Sequence, residues 1–84
     1  MTRDEIAEFN ENLMLLEPSY FDKAIVGVVS NIDREAVCYD TNKIIKILMK
    51  QDKMTEEEAR EYFDFNIIGS WVGPHTPVYL EKAL

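Results

Sequence analysis

The chain has 84 residues with a formal net charge of -7, and 46 % of them are hydrophobic and 30 % charged. That length holds one domain, residues 1–84, and its single cysteine, Cys38, excludes a disulfide-stapled scaffold and argues against a zinc site. The acidic balance argues against a general affinity for nucleic acid or anionic lipid, because phosphate binding depends on Lys and Arg.

The acid is concentrated in the first and last thirds, and the middle third is the only basic part. The N-terminal run "MTRDEIAEFNENLMLL" lacks the basic start and apolar core of a signal peptide, and no stretch reaches membrane-spanning length. A cytoplasmic protein without membrane contact is expected.

Thr2 followed by Glu5 reads as a capping box, with hydroxyl and carboxylate satisfying each other's backbone N–H groups. A helix starting there places Ile6, Phe9, Leu13 and Leu16 on one face, and Pro18 closes it near residue 17. Met14 and Leu15 broaden that face enough to offer it to a second copy of the chain.

Next, "AIVGVVS" and "AVCYD" are short β-branched and aromatic runs separated by the turn-forming "NIDRE", the pattern of a β-hairpin. Gly27 inside the first run predicts a bulge or a close backbone approach. Alternation assigns Cys38 to the core and turns Tyr39 toward the opposite, exposed face.

Asp40 or Thr41 caps a second helix, whose Ile44, Ile45, Ile47, Leu48 and Met49 form a wide apolar face opposite Lys43, Lys46, Lys50 and Lys53. That lysine stripe fits a solvated face paired with neighbouring acids. It also fits contact with an acidic partner or a phosphate, but without arginine, interleaved aromatics or a glycine-rich loop it signals nucleic acid only weakly.

Thr55 and Glu58 repeat the capping box, and Glu56, Glu57 and Glu58 stand where a helix dipole favours acid. Gly73 with Pro74 marks the end of this third helix, and "TPVYL" reads as a last strand. The expected fold is α+β in the order α-β-β-α-α-β, with helices packed on a three-stranded antiparallel sheet.

Residues 65–77, "FNIIGSWVGPHTP", gather the only tryptophan, the only histidine and two of the three prolines. Helical spacing aligns Ala59, Tyr62, Phe63, Asn66, Ile67 and Ser70, so Asn66 interrupts an apolar stripe. A buried amide there must find partners, and the "GPHTP" backbone is the nearest, which makes Asn66 the expected pin of that turn. Gly69 would admit a second backbone closely.

A helix end alone explains most of this crowding. It leaves over Trp71 at the edge of the stripe and His75 in a rigid turn, together an anchor for a partner. His75 has no second group at catalytic spacing, since Glu61 and Asp64 lie on the exposed side and Ser70 is in no nucleophile elbow.

The run "MTEEEAREYFDFNIIGSWVGPHTPVYL", preceded by "YDTNKIIKILMKQDK", resembles a group of small proteins of tailed bacteriophages and prophages. The matching positions are Tyr39 and Asp40, Glu61 to Phe63, Phe65, Asn66, Gly69 to Trp71, Gly73, Thr76 and Pro77. The resemblance covers residues 24–80 and leaves the N-terminal helix, residues 1–17, outside it. It implies a phage origin and expression in a bacterial cytoplasm, and brings no established activity.

By analogy of class, the expectation is a non-enzymatic accessory protein that inhibits or modulates a bacterial host protein, such as a nucleic-acid-processing or defence component. Trp71, His75, Thr76, Tyr79 and Asn66 form the expected binding set, with the acidic residues of the first and third helices steering association. No catalytic residue, metal or cofactor is assigned. Two other readings stay open: a small-ligand or nucleotide pocket read by Asn66 and His75, and a structural homo-oligomer, such as a homodimer through the N-terminal helix.

Overall fold

A computed structural model of the protein describes residues 1–82. Its elements are α1 (Arg3–Phe9), a 3-10 turn (Ser19–Ala24), β1 (Ile25–Ser30), β2 (Glu35–Asp40), α2 (Thr41–Gln51), α3 (Glu56–Tyr62), a π-helical turn (Phe63–Ile67) and β3 (Val78–Leu80). The class is α+β, as the alternation of patterns predicts.

The Thr2 capping box forms as expected, but α1 ends at Phe9 rather than near residue 17. The reason is Asn10, whose backbone is extended (φ -163°, ψ 111°) and whose side chain serves both directions. Its Oδ1 accepts the Asn12 N–H at 2.9 Å while its Nδ2 donates to Glu35 at 2.9 Å, an Asx-type competitor to helix continuation. Met14 and Leu15 therefore lie beyond the helix, which removes the helical face expected to serve a homodimer.

β1 and β2 form the antiparallel hairpin, with Val28 opposite Val37 and Val29 opposite Ala36, and the register slips between Ile25 and Gly27 as the glycine predicts. The third strand corrects the antiparallel expectation: β3 runs parallel to β2, with Tyr39 opposite Tyr79, so the sheet is mixed in the order β1-β2-β3. Two helices intervene between β2 and β3 and carry the chain back to the end from which β2 starts. A parallel pair needs such a crossover.

β2 is thus the central strand, and this overturns the expected exposure of Tyr39. Its ring is fully buried, stacked on Tyr79 with centroids 6.1 Å apart. Phe63 meets Tyr79 edge-on at 5.2 Å. Around them close Ile6, Val37, Ile44, Leu48, Ala59 and Ile67. Cys38 is buried on the opposite face, as expected, where burial and then the nearby Asp40 push its thiol pKa up and keep it protonated.

Asp40 caps α2, accepting the Lys43 N–H at 3.1 Å, and its buried carboxylate also takes Lys82 Nζ at 3.1 Å. Ile44, Ile45 and Leu48 are buried, while Lys43, Lys46 and Lys50 face outward and take part in none of the ion pairs among the described residues. Lys53 has left the helix, in the left-handed region at φ 55°. No helix among the described residues is long and apolar enough to cross a membrane.

Candidate interaction surface

The third helix departs from its expected course at Phe63. Its N–H reaches both the Ala59 and the Arg60 carbonyls, and the Ile68 N–H then bonds the Phe63 carbonyl at 2.9 Å, the wider step of a π turn. Gly69 completes the exit: a Cβ there would stand 3.2 Å from the Phe65 carbonyl oxygen and 3.3 Å from that of Asp64. The second backbone expected beside Gly69 is not what approaches it: the nearest backbone atoms belong to its own preceding turn.

The chain then folds into a turn held by Thr76, not by Asn66. The buried Thr76 Oγ1 accepts the Val72 N–H at 2.9 Å and donates to the Gly73 carbonyl at 2.7 Å. Gly73 has φ +121°, open to glycine and strained for other residues. Asn66 is exposed, as is Tyr62 one turn earlier, so the buried stripe is narrower than expected and runs through Ala59, Phe63 and Ile67.

His75 is half-buried, and its Nδ1–H donates to the Glu35 carbonyl at 2.8 Å, tethering the turn to the start of β2. Arg34, from the hairpin loop, clasps the other side: Nη1 donates to the Pro74 carbonyl at 3.3 Å, and the guanidinium lies 5.8 Å from the Trp71 ring centroid. His75 and Thr76 therefore build the turn rather than present a contact.

On this pinned segment stand the exposed apolar side chains Phe65 (77 % exposed), Trp71 (69 %), Val72 (54 %) and Ile68 (49 %). Sequence reasoning found Trp71 and missed the other three. The signal was there: counted from Ala59 at about 100° per residue, Phe65, Ile68 and Val72 fall on the side opposite the buried stripe, where polar residues belong.

Three concavities flank this ridge. The most enclosed, about 330 Å³, lies between the Met14–Pro18 arm, the end of α2 and the π turn, and is lined mainly by apolar groups such as Leu15, Leu16, Tyr20, Ile67 and Val72. Asn66, Thr76 and Tyr79 also line it, so three members of the expected set meet there, whereas His75 and Trp71 do not. Trp71 and Ile68 border a second, of about 290 Å³, which shares Ser70 and Tyr79 with the first. Phe65 borders a third, of about 340 Å³, which shares Tyr62 and Asn66 with the first.

The charge on this side is divided: Arg34 lines the second concavity beside Trp71, and the charged lining residues of the other two are acidic. Glu17 and Asp52 line the first concavity and Glu58 and Glu61 the third, with no cation in either. Arg60, nearby, is committed: its Nη2 bonds Glu81 at 2.7 Å and its Nε lies 3.6 Å from Asp64. The bond to Glu81 raises its pKa further. Among the described residues no three His, Cys, Asp or Glu side chains stand together as metal ligands.

No protein-family model matches the chain, and comparison with curated proteins and with solved structures finds no similar one.

Proposed function

We propose that the chain is a non-enzymatic binder of another protein, engaged through the ridge of Phe65, Ile68, Trp71 and Val72. One observation carries this reading: four large apolar side chains are held out to solvent by a segment whose turn is fixed by Thr76, His75 and Arg34. Apolar exposure gathered on one short segment of a small chain points to an interaction site, and a rigid backbone lowers the ordering cost of binding. Trp and Phe are suited to act as anchors there.

The resemblance of residues 24–80 to small tailed-phage and prophage proteins supports setting that partner in the bacterial cytoplasm. The protein is then a phage or prophage accessory protein that inhibits or modulates a host or defence component. The test is affinity capture of the tagged protein from bacterial lysate, with Phe65→Ser and Trp71→Ala as comparisons. A stoichiometric partner lost from both folded variants supports the reading, and a partner retained by both refutes it.

The enclosed 330 Å³ concavity favours one other reading, a small-ligand site. Its lining carries carboxylates and no cation, so the phosphates of a nucleotide would lack a counter-charge. His75, committed to Glu35, is outside it. A neutral or cationic ligand fits better, and thermal melts against such compounds should show stabilisation that grows with concentration.

A further inference from the structure

The enclosed concavity and the exposed ridge are not separate features. Val72 belongs to both, and Tyr62 and Asn66 form a shared wall between the first and third concavities. A partner that covers Val72 therefore also meets the edge of the 330 Å³ space. That space is lined mainly by apolar groups, Leu15, Leu16, Tyr20, Ile67 and Tyr79 among them, and at about 330 Å³ has room for a bulky side chain. Its charged lining residues are Asp52 and Glu17, the latter offset by Arg3 at 2.8 Å, and the adjoining concavity adds Glu58 and Glu61.

These charges differ in how free they are. Glu17 bonds Arg3 at 2.8 Å, and Glu58 accepts the Thr55 N–H at 2.9 Å in the α3 capping box. Asp52 and Glu61 take part in none of the ion pairs among the described residues. They are the groups positioned to meet a cation on a partner.

We infer that the partner's contacting segment is a basic peptide stretch that seats one large apolar side chain in the concavity beside Val72 and sets Lys or Arg against Asp52 and Glu61. An apolar anchor in a concavity bordered by complementary charge is an arrangement in which a few residues can carry most of an interface's affinity. Acidic and neutral segments gain the burial without the attraction. This rests on the binder reading above and adds to it the chemistry of the partner.

The test is selection from a random linear peptide library on the immobilised protein, followed by titration of the synthetic winners. The expected winners carry one bulky apolar residue flanked by Lys or Arg, and their affinity falls as salt rises. Ser70→Phe, which crowds the pocket wall, and the charge reversal Asp52→Lys with Glu61→Lys should each weaken them by about tenfold or more. If one variant fails to fold, the other still decides.

Acidic or uncharged winners, no enrichment, or undiminished binding to both variants would overturn the inference. The two proposals separate in the lysate experiment. A cellular partner lost with Trp71→Ala but kept at full strength by Ser70→Phe and by the charge reversal leaves the binder reading standing and removes this one.

Discussion

The Tyr39 hydroxyl accepts the backbone N–H of Leu16 at 2.8 Å, joining the central strand to the non-helical arm that walls the enclosed concavity. The ring itself is held by Tyr79 and the surrounding core, so Tyr39→Phe should leave packing intact and orphan only that N–H. The expected cost is about 1–2 kcal/mol in chemical denaturation. An unchanged midpoint would mean that the arm does not depend on this bond.

The same tyrosines set an alkaline limit. Burial pushes the Tyr39 pKa up against the lowering effect of the Leu16 bond, and burial with the neighbouring Tyr39 pushes Tyr79 up to about 12. A raised folded pKa means that the unfolded chain loses its proton first, so the stability is present below the ordinary value of 10.0 and lost as pH rises through the folded values. Melting temperature should fall above about pH 10, and less steeply in Tyr39→Phe. A flat alkaline profile would refute the coupling.

Asp40 governs the acid side. Burial raises its pKa, but the bonds from Lys82 and from the Lys43 and Asn42 N–H groups win and hold it below the ordinary 3.8. Glu5 and Glu58 are held below theirs by the N–H groups of Thr2 and Thr55. Depressed carboxylates stabilise the fold above their unfolded values and lose that contribution as pH falls through the folded ones. Stability should therefore decline below about pH 4. Asp40→Asn should cost about 1 kcal/mol at neutral pH and shallow the acid decline, both read from melts across pH.

The cap residues were legible in the sequence because their chemistry is local: Thr2 with Glu5 and Thr55 with Glu58 form the boxes that their spacing predicts. The hairpin with its slip at Gly27 was legible for the same reason. What spacing could not give is long-range. The direction of β3 depends on which end of β2 the two helices return the chain to, and no residue within β3 encodes that. The early stop of α1 turns on Asn10 meeting Glu35, far along the chain. At the site, Asn66 looked buried because the stripe was drawn too wide: Ala59, Phe63 and Ile67 are buried, while Tyr62, Asn66 and Ser70 on its other edge are exposed.

Two backbone positions should respond in opposite directions. Lys53, past the end of α2, holds φ 55°, which costs a side chain that glycine does not carry. Lys53→Gly should therefore raise stability, by about 0.5–1 kcal/mol. Gly73 has φ +121°, and although nothing lies within 4 Å of an added Cβ, the backbone angle itself is strained for alanine. Gly73→Ala should lower stability by about 1–2 kcal/mol. Equal effects of the same sign would show that neither angle governs stability.

Phe63 and Phe65, two positions apart, should differ most of all. Phe63 is fully buried against Tyr79, and Phe63→Ala should cost about 3–5 kcal/mol through the cavity it leaves. Phe65 stands in solvent, and Phe65→Ser should change stability by no more than about 0.5 kcal/mol. Trp71→Ala loses the Arg34 contact and little else, about 0.5–1 kcal/mol. Denaturant midpoints check all three. If Phe65→Ser and Trp71→Ala proved as costly as Phe63→Ala, the ridge would be part of the core, and loss of a partner by either variant would report unfolding. If both are tolerated, those side chains contribute little to the fold, and loss of a partner by either variant would report the contact itself.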